Sequence, residues 1–135
     1  MSSSNTNLLT IFNDHFVEFL NDIHNVFPDD TDILTAKNSL IAIRKANPKL
    51  IVRIWIKYIT QPYQDRILVG DINFFIEKNY ANDLTRSGNA EHIMECIDRL
   101  RNPVKQMTSE DQAKTMKYIQ NLCKLSAMIP TASTV

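Results

Sequence analysis

The sequence predicts an all-α fold, and three observations carry that prediction. Apolar residues recur at steps of three and four over most of the chain, the period of one helix face. Only two glycines, Gly70 and Gly88, occur in 135 residues, whereas sheet-rich folds use glycine freely in their turns. Pro28, Pro48, Pro62 and Pro103 sit at the edges of apolar runs, where helices start or stop. The expected architecture is a compact bundle of about six helices, two of them short, around a central helix at 48–61. The length suits one domain, expected over 7–128. A flexible lead (1–6) and a flexible tail (129–135) flank it.

The first helix begins near Asn7. Leu8, Leu9, Phe12, Phe16, Phe19, Leu20, Ile23 and Phe27 cover one face, and Asp14, Glu18 and Asp22 lie four apart on the opposite face. Pro28 stops it. The run "PDDTD" caps a second helix reaching about Ala46, with Ile33, Ala36, Leu40 and Ile43 inward. Acids at its start and Arg44 and Lys45 at its end suit the helix dipole.

The stretch "NPKLIVRIWIKYITQP" is ambiguous. Val52, Ile54, Ile56 and Tyr58 alternate as in a strand, whereas Lys49, Arg53 and Lys57 keep a helical four-residue step. Length decides: 48–61 is long for a strand and ordinary for a helix. Asn47 is expected as its N-cap and Pro48 as its first residue. The basic stripe covers a narrow arc, so the rest of this helix, Trp55 included, is expected to touch several neighbours at once.

Residues 61–69 read as a short helix opened by Pro62 and ended near Gly70. Asp71 caps another, "INFFIEKNY", with Ile72, Phe75 and Ile76 inward. A turn is expected at 81–84 and a loop at "RSGNA". Helix 91–101 places Ile93, Met94, Ile97 and Leu100 inward and ends before Pro103. Thr108, with Asp111 three later, starts the last helix like a capping box. It runs to about Met128 and uses Met116, Ile119, Leu122 and Cys123. The expected core is thus centred on Phe12, Phe16, Phe19, Ile23, Leu40, Ile54, Trp55, Phe75, Ile97 and Ile119.

The composition excludes several function classes. Two glycines cannot build a phosphate loop or a dinucleotide fingerprint. No run approaches the roughly 20 apolar residues needed to span a bilayer. The polar start "MSSSNTN" has no basic region followed by an apolar run, so secretion is not expected. Cys96 and Cys123 read as two reduced core thiols. His15 and His24 stand about 13 Å apart along a helix. His92 with Glu95 lacks a second ligand pair. No catalytic residue, metal site or cofactor is expected.

Charge is the informative feature. Net charge is zero, yet residues 1–32 carry six acids (Asp14, Glu18, Asp22, Asp29, Asp30, Asp32) and no Lys or Arg. Residues 33–64 carry six bases (Lys37, Arg44, Lys45, Lys49, Arg53, Lys57) and no acid. The stripes Asp14/Glu18/Asp22 and Lys49/Arg53/Lys57 share one spacing and have opposite sign. They are candidates to meet each other, within the fold or between molecules, or to bind a partner. Nucleic acid would also suit the basic segment, with Tyr58 and Tyr63 beside it. Against this stands a pI of 6.8, low for a dedicated nucleic-acid module.

Five runs, "FNDHFVEFLNDIHNVFPDDTDIL", "IRKANPKLIVRIWIKYI", "GDINFFIEKNYANDL", "IDRLRNPVKQM" and "MKYIQNLCKLS", resemble small proteins of nucleocytoplasmic large DNA viruses of algae and protists. The resemblance covers about residues 10–127 and carries no active-site signature. It implies a viral protein of the host cytoplasm, in the viral factory or packaged in the virion. The expected function is therefore a non-enzymatic structural or interaction protein, with a minor capsid role as an extension of that resemblance. Its partners would be other viral capsid proteins or further copies of the chain. The alternatives are a nucleic-acid-associated factor of the viral factory and a helical adaptor that binds a host protein.

Overall fold

The computed structural model describes residues 2–77 and 88–129, with side chains from residue 7 onward. Helix α1 spans Ser2–Val26 and α2 Thr31–Ala46. A short α3, Leu50–Trp55, runs directly into a π-helical turn, Ile56–Thr60. Two brief helices follow, α4 over Gln64–Leu68 and α5 over Asn73–Ile76. Helices α6, Gly88–Lys105, and α7, Ser109–Ala127, complete the set. No strand occurs among the described residues, so the fold is an all-α bundle.

The caps explain where several elements begin. Asp30 accepts a hydrogen bond from the Ile33 amide at 3.1 Å and opens α2. Thr108 accepts from the Asp111 amide at 3.2 Å and opens α7. Asp71 accepts from the Asn73 amide at 3.0 Å and from Arg66 Nε at 2.6 Å, fixing the turn into α5.

Helix boundaries depart from expectation in five places. The first helix starts at Ser2 rather than Asn7, because extending an existing helix adds a hydrogen bond per residue without a new nucleus. Asn47 does not cap the central helix. It ends α2, donating to the Ile43 carbonyl at 2.8 Å, and its own carbonyl accepts from Leu50. Pro48 therefore lies in the turn, and Lys49 precedes α3 with no side-chain cap. Residues 61–63 form a turn, so the next helix starts only at Gln64. Within "RSGNA", Gly88 at φ +58 leads Asn89 and Ala90 into α6. Finally, α6 continues through Pro103 to Lys105. The proline lies near the helix end, and Gln112 Nε2 donates to the C-terminal carbonyls of Val104 and Lys105. The end of "INFFIEKNY", the turn expected at 81–84 and the start of "RSGNA" lie outside the described residues.

Helix α3 with its π turn occupies the middle of the bundle. It touches α1, α2 and α6, and the π turn touches α7; α1 packs on α7 and α2 on α6. The π turn departs from the single α-helix expected over 48–61. Gln61 donates to the Ile56 carbonyl, five residues back. The widened turn places Tyr58, Ile59 and Thr60, three consecutive residues, all in buried positions. From Ile51 to Thr60 only Arg53 and Lys57 escape full burial.

All ten residues expected at the centre of the core are buried. Trp55 is fully enclosed, with Phe12, Phe16 and Phe19 meeting it edge-on at 5.8–6.4 Å between centroids. Ile129, placed in the tail by sequence, is also buried; its amide closes a turn on the Ser126 carbonyl. Five polar residues, Asn13, Thr60, Arg101, Thr115 and Ser126, join the interior unforeseen, and two of them tie elements together. Asn13 Nδ2 donates to the Pro48 carbonyl at 2.9 Å, tying α1 to the α2–α3 turn. Arg101 donates to Asp98 at 2.9 Å and to the Phe75 carbonyl, and stacks over the Phe75 ring at 4.4 Å. It fastens α5 onto α6.

Candidate functional site

The two charged stripes do not meet within the chain. Asp14 pairs with Arg44 of α2 at 2.5 Å. Asp22 pairs with Lys114 of α7 at 3.5 Å. Glu18 holds His15 Nδ1 at 3.1 Å on its own helix. Each acid of the stripe thus has a cationic or titratable partner from α1, α2 or α7. The neighbouring Tyr118, whose ring lies 5.0 Å from that of His15, has its hydroxyl pKa raised by burial and by Asp22 and Glu18.

The basic stripe is different. Lys49 and Lys57 are exposed and Arg53 is half-buried. Among the described residues none of the three forms an ion pair. Lys57 Nζ stands 5.5 Å from the centroid of the Tyr58 ring, a contact that leaves its charge unneutralised. Arg53 Nε is buried without a hydrogen-bond partner. An arginine normally places its fork where acceptors reach it, and this Nε is unanswered among the described residues. The stem of Arg53 is held because its neighbours Val52, Ile54 and Trp55 are core residues.

The reactive side chains do not converge. Cys96 and Cys123 are free and buried. Burial pushes both thiols up, and contacts from Ser39 to Cys96 and from Thr60 and Trp55 to Cys123 offset only part of that rise. His24 meets Lys37 at 3.1 Å, and His92 is exposed. Among the described residues no group of three or more His, Cys, Asp or Glu side chains is placed to hold a metal ion. No helix there is long and apolar enough to cross a membrane.

One feature escaped the sequence. A cleft of about 280 Å³ opens between the π turn, α4 and α7. Ile67, Leu68 and Ala127 form its apolar wall, and Thr60, Gln64 and Gln120 its polar one. Cys123 lies at its back and Lys124 on its lining. Thr60 closes the inner end: its hydroxyl lies 3.4 Å from Cys123 Sγ and 3.3 Å from Ser126 Oγ. Gln120 Nε2 donates to the Ile67 carbonyl at 2.9 Å and binds α4 to α7. Thr60 stands more than 50 residues from the α7 side chains, so no local spacing could announce the cleft. Leu68, on the lining, is 78% accessible.

No protein family, curated protein or solved structure matches this chain.

Proposed function

We propose that the chain is a non-enzymatic structural or interaction protein that docks an acidic surface of another protein through Lys49, Arg53 and Lys57. One observation supports this above the rest. The acidic stripe is answered inside the fold, by Arg44, Lys114 and His15, whereas the basic stripe is not. Three cations at four-residue steps, Lys49 just before α3, Arg53 on it and Lys57 in the π turn, favour a partner of opposite charge. Their main contribution would be orientation and partner choice, since exposed pairs are worth only about 0.2–1 kcal/mol each.

The resemblance to proteins of large DNA viruses supplies the setting: a virion or viral factory, with capsid proteins as partners. Mass spectrometry of purified particles tests it. The chain should be present at stoichiometric level, and its absence would remove the capsid version.

Phosphate would suit the same stripe, so nucleic acid is the competing partner. Trp55 is enclosed by three phenylalanines and is not available to stack on bases. Titration of DNA and RNA in about 50 mM salt, where phosphate contacts are strongest, separates the two. The protein-docking proposal expects no binding there. Saturable binding that weakens steeply with salt and is lost in a Lys49→Glu/Lys57→Glu variant would replace it with the nucleic-acid reading.

A further inference from the structure

We infer that the cleft between the π turn, α4 and α7 is a binding site for a small aliphatic carboxylate, a medium-length alkyl chain ending in –COO⁻. This site is separate from the basic stripe and does not depend on it.

Three properties of the cleft select that class. Its volume, about 280 Å³, lies just under the range of about 300–1,000 Å³ usual for drug-sized ligands. A small molecule or a short chain fits this volume. Its apolar wall, Ile67, Leu68 and Ala127, contains no aromatic ring. Such a wall favours a flexible alkyl chain over a stacked ring. Its charge is one-sided. Among the described residues Lys124 is the only charged one lining it, no carboxylate does so, and Lys124 forms no ion pair. An anionic end therefore has a complementary partner, whereas a cationic end has none.

The fold has built this concavity rather than left a gap in packing. The π turn carries Thr60 into a buried position at the cleft, and π turns recur at functional sites. Gln120 holds the α4 wall in place through the Ile67 carbonyl. Gly70, at φ +77, ends α4 and lets the chain turn away, leaving Leu68 facing solvent at 78% exposure.

Octanoate, kept below its micellar concentration, is the probe. Two-dimensional amide NMR of the full chain should show saturable shifts confined to Thr60, Gln64, Leu68, Gln120 and Ala127. Octanol, matched in length, should bind more weakly. Ala127→Phe fills the cleft from an exposed position at the end of α7 and should abolish the shifts while the rest of the spectrum is retained. Lys124→Glu, also at an exposed position, should weaken octanoate about two- to fivefold and leave octanol unchanged. No saturable shift, shifts centred elsewhere, or undiminished binding by Ala127→Phe would overturn the site. Equal affinity for octanol and octanoate, with no effect of Lys124→Glu, would overturn the assignment of a carboxylate. Loss of octanoate binding in Lys49→Glu/Lys57→Glu would instead show that the probe reads the basic stripe.

Discussion

At Trp55 the indole is walled by Phe12, Phe16 and Phe19 and has no accessible surface. Its neighbours on α3 face α2 and α6, so a single ring joins the first helix to the middle of the bundle. Trp55→Ala should therefore destabilise the protein by about 3–5 kcal/mol, read as a fall in the urea midpoint. An unchanged midpoint would mean that the ring is not buried in solution. Asp71 carries the clearest pH dependence. The hydrogen bond from Arg66, then that from the Asn73 amide, hold its carboxyl below the usual value. Its folded pKa lies below its unfolded one, so its contribution is complete above about pH 5 and is lost as pH falls through the unfolded and then the lowered folded value. The stability gap between wild type and Asp71→Asn should accordingly be constant above about pH 5 and narrow toward acid. A gap that widens toward acid would contradict the pairing. The core was legible at this scale, because phenylalanines at helical steps have few alternatives to burial. Asn13 and Arg101 were not. Each is polar in sequence, and each is buried by an acceptor, the Pro48 or the Phe75 carbonyl, that only the folded chain brings near.

Among the elements, caps and periodicity were readable where the signal is local. Asp30 and Thr108 reach amides three residues on, and both bonds are present. Thr108→Ala should cost about 1 kcal/mol in stability, with Thr108→Asn restoring most of it; equal loss in both variants would mean that the cap bond is not the cause. The centre of the chain was misread in detail because there the deciding forces are not local. Asn47 has the chemistry of an N-cap, but the connection is so short that it is consumed as the end of α2. Pro103 has the chemistry of a helix stop, yet its side chain and that of Val104 are buried. Burial there and the bonds from Gln112 outweigh the lost backbone donor. The π turn has no sequence signature at all. It lies where Tyr58, Ile59 and Thr60, three consecutive residues, are all buried. This departure is also what brings Thr60 to the cleft.

For the molecule as a whole, the sequence displayed two blocks of opposite charge and left open how they are used. Their equal spacing invited a pairing of stripe with stripe. The fold instead sets Arg44 and Lys114 against the acids, from helices that pack directly on α1. The basic stripe runs from just before α3 into the π turn, and among the described residues it forms no ion pair. Sequence spacing records which residues share a face; it does not record which face another helix will cover. That is why the stripes were identifiable and their partners were not. The most direct measurement is zero-length carbodiimide cross-linking, which joins an amine to a carboxylate in contact, applied to the chain in its native assembly. Lys49 and Lys57 should be recovered joined to aspartate or glutamate of a different protein. Recovery of the same lysines joined only to Asp14, Glu18 or Asp22 of their own chain would show that the stripes meet after all, and would contradict the docking proposal.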